Sequence, residues 1–204
     1  MNEKFFALPV EKQEAIINAG FRVFSQNSYK KSPMSEIADA AGISKSLLFH
    51  YFHNKKELYL FLWEKCGRIT IESLEKSGCY YQKDLFDSMY KGMKAKIEIM
   101  RLYPDLGNFV VKAFNEKDSV ISQDIQKSIV KNASFKTNEK LVNLDPEQFI
   151  SGLDLEMMYQ DMYWASAGYL WEKMQHGEVN VDEMEQDFMK LLDFWKSVYL
   201  RKEG

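Results

Sequence analysis

The chain has 204 residues, 46% of them hydrophobic and 28% charged, with a formal net charge of −3. That balance fits one large globular domain or two small ones, and it excludes a disordered chain or a uniformly basic coat for nucleic acid. Ten glycines and four prolines are too few for the many tight turns of a β-sandwich or barrel, so an all-α fold with long helices is expected.

Cys66 and Cys79 stand on helical-looking stretches, with no C-x-x-C and no His/Cys cluster. A reduced, cytoplasmic compartment is the simplest expectation, with no metal and no cofactor. The apolar patch from Phe5 to Val10 is shorter than the core of a signal peptide, and no run approaches the roughly 18 apolar residues of a membrane span. Neither secretion nor a membrane partner is expected.

Helical spacing recurs along the chain. Ile16, Ala19, Val23 and Phe24 form one stripe on a helix over about 9–26. Ser32-Pro33 reads as an N-cap followed by proline at the first helical position, opening a short helix stopped by Gly42. Ser44 is placed to cap a third helix from Lys45 to about Phe52, and Asn54 with Glu57 makes a capping-box start for a long fourth helix. Further helices are expected at about 55–78, 81–102, 104–115, 119–142, 146–176 and 180–201, giving about nine. Pro104 and Pro146 stand at first turns, Asp145 with Gln148 makes a second capping box, and Gly177 separates the last two helices.

Charge separates two regions. Residues 1–56 carry eight Lys or Arg against five Asp or Glu, a net of +3, whereas the rest of the chain carries −6. Only the first region suits a polyanion. Within it, residues 33–52 have the layout of a helix-turn-helix. Ala38 and Ala41 allow close helix approach, and Gly42 supplies the turn. Ile37, Ile43, Leu48 and Phe52 are spaced to share a core with Ile16, Val23 and Phe24, leaving Lys45, Ser46, Phe49, His50 and Tyr51 at or near the outer face.

Residues 9–69 resemble the TetR-type transcriptional regulators, through Ile37-Ala38-x-x-Ala41-Gly42-Ile43-Ser44-Lys45, the cluster Phe49-His50-Tyr51-Phe52 and Asn54-Lys55-x-x-Leu58. The resemblance implies a DNA-binding domain at residues 1–54 and a helical ligand-binding and dimerisation domain at 55–204. It implies Lys45, Ser46 and Leu47 against bases, and Phe49, His50, Tyr51 and Lys55 against the sugar-phosphate backbone. Ser32 would offer its hydroxyl or the adjacent helix N-terminus to a phosphate. Two positions depart from the family's habit: Leu47 stands where Thr is frequent, and Phe49 lacks the hydroxyl of the usual Tyr.

Most of the methionines and aromatics lie beyond residue 56, composing either a helical core or an adaptable apolar cavity. Met93, Met100, Phe109, Tyr159, Asp161, Met162 and Tyr163 are the candidate ligand residues; Asp161 is singled out as a carboxylate sharing a helix face with Met157, Trp164 and Gly168. Met184, Phe188, Leu191, Trp195 and Val198 form a seam of spacing 4, 3, 4, 3 suited to helix packing. The preceding helix, with Trp164 and Trp171, is apolar on more than one side. The resemblance implies that these last two helices make a homodimer, although an intrachain core accounts for the same pattern. The helix starting at Asn54-Lys55 and running through Leu58, Phe61, Leu62 and Ile69 is expected to link effector to DNA.

The expected function is therefore a regulator, most simply a repressor, that binds palindromic double-stranded operator DNA as a dimer and responds to a small apolar or amphipathic effector. A helical adaptor or small-molecule-binding protein that kept the fold without operator binding is the alternative. No enzymatic motif is present in the sequence, and an enzyme is not expected.

Overall fold

The computed structural model describes residues 3–133, 144–175 and 180–202. Among them lie ten α-helices: α1 (Glu3–Phe6), α2 (Val10–Gln26), α3 (Met34–Ala40), α4 (Lys45–Tyr51), α5 (Lys55–Ser77), α6 (Leu85–Leu102), α7 (Leu106–Phe114), α8 (Ser122–Ala133), α9 (Leu155–Gln175) and α10 (Val181–Tyr199). Short 3-10 turns occupy Cys79–Tyr81 and Pro146–Gln148, and no strand is present among the described residues. The all-α expectation holds. The part of the expected 119–142 helix beyond 133, and the break at Gly177, lie outside the described residues.

Backbone contacts gather the chain into two compact units. The first is Met1–Ile69 with Tyr103–Asn132, and the second is Thr70–Leu102 with Ala133–Gly204. In the first, α2 buries Ile16, Ile17, Val23 and Phe24 in a core shared with Ile37, Ala38, Leu48 and Phe52. Ile43 contributes less than its spacing predicts, being only half-buried. A Cβ on Gly20 would stand 2.5 Å from Leu62 Cδ1, so a side chain there would force the Leu62 side chain to shift. Gly42, with φ +67°, makes the left-handed turn between α3 and α4 that a side chain would oppose.

The first helix was not legible in the sequence. Phe5 is fully buried, its ring centroid 5.0 Å from that of Phe52 and 5.2 Å from that of Phe61. The apolar patch that is too short for secretion is thus partly a core contribution. The first unit also contains α7. Phe109, fully buried, packs its ring 5.3 Å from Phe21 and 5.1 Å from Tyr59.

Two expected helix starts shift. Pro33 is itself the cap of α3, with an extended ψ of 141°, so the helix begins at Met34 and Ser32 does not cap it. The expected 146–176 helix is broken. Asp145 accepts a hydrogen bond from the Glu147 N–H at 3.0 Å, capping only a 3-10 turn. Phe149 then pairs with Leu200 in an isolated bridge, and Gly152 turns at φ +81°. Asp154 accepts from the Met157 N–H at 3.0 Å where α9 starts. By contrast, Asn54 accepts from the Glu57 N–H at 2.9 Å, as a capping box requires, while the Glu57 carboxylate reaches the His53 N–H rather than that of Asn54.

The second unit is built on α6, α9 and α10. Its core contains Leu85, Phe86, Phe149, Met158, Met162, Leu192 and Trp195.

Candidate nucleic-acid interface and apolar cavity

The α4 helix owes its outer face to a local cap and two inward anchors. Ser44 Oγ accepts from the Leu47 N–H at 3.2 Å, fixing the first turn. Leu48 and Tyr51 are buried, which turns Lys45, Ser46, Leu47, Phe49 and His50 to the exposed side. Phe49 has no hydroxyl for a phosphate, but its ring lies 5.9 Å from Lys45 Nζ, inside cation–π range. Tyr51 is mainly structural, its ring 6.1 Å from Phe5.

Two expected phosphate contacts have internal roles. Ser32 is fully buried and its hydroxyl donates to the Ser28 carbonyl at 3.0 Å. The hydroxyl half of that expectation is corrected: an inward-facing donor satisfies the α2–α3 turn and does not reach a ligand. Lys55 Nζ donates to the carbonyls of Lys30 and Ser32, both at 3.2 Å, and stands 4.7 Å from the Tyr29 ring centroid. Burial pulls this ammonium's pKa below the ordinary lysine value, with the charge of Asp118 opposing the shift. Lys55 therefore braces the turn with two of its three N–H groups, leaving one to point elsewhere.

The same turn is held from α7–α8. Glu116 Oε2 accepts from the Tyr29 N–H at 2.7 Å, while Oε1 accepts from the Lys117 and Asp118 N–H groups at 2.9 and 3.0 Å. Lys56 pairs with Asp124 at 2.8 Å, and Trp63 Nε1–H donates to Ser128 at 2.9 Å. Periodicity gives no sign of these partners, because they pair across 65 to 87 residues.

The second unit holds a cavity of about 150 Å³, lined chiefly by α6, α9 and α10. Four of the seven candidate ligand residues line it: Met93, Met100, Tyr159 and Tyr163. The other three do not. Phe109 is core of the first unit, and Met162 is fully buried in the core of the second. Asp161 is exposed and accepts a hydrogen bond from the Tyr199 hydroxyl at 3.1 Å, which supplies the partner its charge needs outside the cavity. Lys96, not anticipated, is on the wall. It falls in register with Met89, Met93 and Met100, a charge inside a methionine stripe that spacing alone could have flagged. Burial, then the neighbouring Tyr163, Tyr80 and Cys79, pushes the Tyr159 phenol pKa upward.

The expected dimer seam divides. Met184 and Trp195 are buried, and Phe188 and Leu191 pack against the second unit's core. Met184 and Phe188 also line the cavity. That seam is an intrachain one, because α10 turns it toward α6. Trp164, Trp171 and Val198 are instead exposed, together with Met157 and Phe194.

A helix-turn-helix with a capped, outward-facing second helix, carried on described residues that are otherwise helical, defines a helix-turn-helix protein. Residues 16–61 match the family model described as bacterial regulatory proteins, tetR family. RutR, a helix-turn-helix transcriptional regulator of Escherichia coli strain K12, is 28% identical over 95 residues, covering 46% of this chain and 43% of RutR. The chain thus spans less than half the length of that curated relative. A TetR family regulator from Chloroflexus aurantiacus has a similar fold, with a TM-score of 0.67 at 19% identity over 98% of this chain and 99% of that one. The SmeT–triclosan complex, SmeT being the efflux-pump repressor of Stenotrophomonas maltophilia, gives 0.68 at 16% identity over 94% and 92%. Residues 16–61 thus carry a helix-turn-helix of the TetR type.

Proposed function

We propose that the chain is a cytoplasmic transcriptional repressor, not an enzyme. It binds a palindromic operator as a homodimer and releases it when a small apolar or amphipathic effector enters the second unit's cavity. The observation that carries this reading is the outer face of α4, where Lys45, Ser46 and Leu47 stand exposed behind the Ser44 cap, inside the stretch that matches the family model. Residues 1–54 supply most of the DNA-contacting part, with Phe49 and His50, joined by Lys55 at the start of α5, toward the backbone. The cavity, and the triclosan held by the similarly folded SmeT, support the effector. The exposed Trp164, Trp171, Phe194 and Val198 support a second copy as partner, since one short recognition helix reads too few bases alone. In such a dimer the two recognition helices enter successive major grooves, roughly 34–36 Å apart.

Operator footprinting with salt titration tests the proposal. Lys55→Ala is expected to weaken binding similarly on operator and random DNA and to flatten the salt slope by about one. Lys45→Ala is expected to change sequence preference as well. Equal effects on both DNAs would remove Lys45 from the reading set, and a single unrepeated half-site would sink the dimeric arrangement. Glu116→Gln leaves one acceptor oxygen where two are engaged, so the hold on Tyr29 or the hold on the 116–118 loop must be lost. Operator affinity is expected to fall several-fold, and the melting temperature to drop by a few degrees.

A further inference from the structure

We propose that Leu47 reads the 5-methyl group of a thymine in each half-site of the operator, so that one base is recognised by apolar contact and not by a hydrogen bond. This rests on the operator reading above and assigns one of its specificity residues.

The start of α4 commits its polar side chains to the helix itself. Ser46 Oγ lies 3.0 Å from Ser44 Oγ, which also accepts from the Leu47 N–H at 3.2 Å. These two hydroxyls bond to each other and serve the cap. Lys45 Nζ stands 5.9 Å from the centre of the Phe49 ring, which draws the cation one turn along the helix. What projects outward beside them is apolar. Leu47 and Phe49 are each 37% exposed, whereas Leu48 and Tyr51 fill the inward side. At 3.6 residues per turn, Leu47 and Phe49 flank Ser46 on the outward face.

Single exposed leucines are ordinary on protein surfaces. Leu47 is set apart by its place. It is the third residue of the second helix of the motif, and side chains near the start of such a helix meet base edges in the major groove. An isobutyl group gains nothing against a phosphate or against the donors and acceptors of a base edge, which it would strip of water without replacing the lost hydrogen bonds. The major groove offers it one matching surface, the C5-methyl group of thymine. Cytosine, adenine and guanine have no counterpart. Because the Leu47 N–H is bonded to Ser44, the first turn presents that side chain at a fixed height, as discrimination of one base pair requires. Phe49 stands on the opposite flank, where Lys45 is drawn to its ring, and leaves the methyl contact to Leu47.

The operator is first selected from a random duplex pool with the full chain. Each thymine in it is then replaced by deoxyuridine, which keeps every hydrogen-bonding group and removes only the methyl. Fluorescence anisotropy measures the affinities. Replacement at one position of a half-site is expected to cost about fourfold, the worth of one buried methylene-sized group, and replacement in both half-sites more than about tenfold. Leu47→Ala, at an exposed position where alanine is the best helix former, is expected to bind the thymine and deoxyuridine operators equally. It is also expected to bind the deoxyuridine operator as tightly as the parent does, which shows that the helix is intact. Affinity unchanged by deoxyuridine at every thymine would overturn the proposal and leave operator binding standing. A deoxyuridine penalty undiminished in Leu47→Ala would overturn the assignment to Leu47. If the pool yields no enriched sequence, the operator reading falls and this proposal with it.

Discussion

Replacing Trp164 and Phe194 together by Glu is expected to give a folded monomer that no longer binds operator, whereas Trp195→Glu alone is expected to unfold the second unit. Phe194 and Trp195 are adjacent in the chain but opposite in environment. Trp164 and Phe194 are each 59% exposed, and Trp195 only 2%. Trp195 packs in one core with Phe86, Met158 and Met162, its ring 6.2 Å from Phe188. Truncating a buried Trp costs about 3–5 kcal/mol, and a carboxylate in its place adds the cost of an unpaired buried charge. Against a total stability of about 5–15 kcal/mol, little folded protein remains. Glu at the exposed pair removes no core contact and places charge where a second copy would have to desolvate it, which at an anchor position costs more than about 2 kcal/mol. Sedimentation and circular dichroism separate the outcomes. A Trp164→Glu/Phe194→Glu variant that sediments as a normal dimer would show that this face is not the interface.

The contrast also marks what the sequence could and could not say about α10. Its 4, 3, 4, 3 seam is a sound sign of packing, and the structure packs it. Periodicity gives the buried face of a helix but not the identity of what buries it. An intrachain core and a dimer bundle ask for the same stripe, and here Met184 and Trp195 are held by the chain itself. The motif at residues 33–52 was more legible, because its determinants are local: a cap at Ser44, a left-handed glycine at 42, and inward residues at fixed spacing. Local determinants failed at Ser32 and Pro146. At the first, a hydroxyl expected to face DNA had a nearer acceptor in the Ser28 carbonyl. At the second, a proline-started turn stopped after one turn because Phe149 bridges to Leu200. Phe109 and Lys96 show the remaining limit. Each belongs to an obvious apolar stripe, yet only the tertiary fold decides that the first is core and the second lines a cavity.

Phe109→Ala is expected to destabilise the first unit by about 3–5 kcal/mol, the range for a fully buried Phe, although it lies more than forty residues beyond the family-matched stretch. Phe109 is fully buried, with ring centroids 5.3, 6.3 and 5.1 Å from those of Phe21, Phe24 and Tyr59. Tyr59 in turn meets Phe24 at 4.7 Å and Tyr29 at 5.3 Å. Removing the ring opens a cavity among α2, α5 and α7, and every aromatic around it loses a partner that its rigid neighbours cannot replace. Because Tyr29 also carries the hydrogen bond to Glu116 and the cation contact from Lys55, the loosened cluster reaches the turn that leads into α3. Operator affinity should therefore fall along with stability. Phe114→Ala, at an exposed position on the same helix, is the control and should change stability by no more than about 0.5 kcal/mol. Urea unfolding followed by far-ultraviolet circular dichroism measures both. A Phe109→Ala variant within 1 kcal/mol of the parent by that measure would show that α7 is not part of the core that supports the recognition helix.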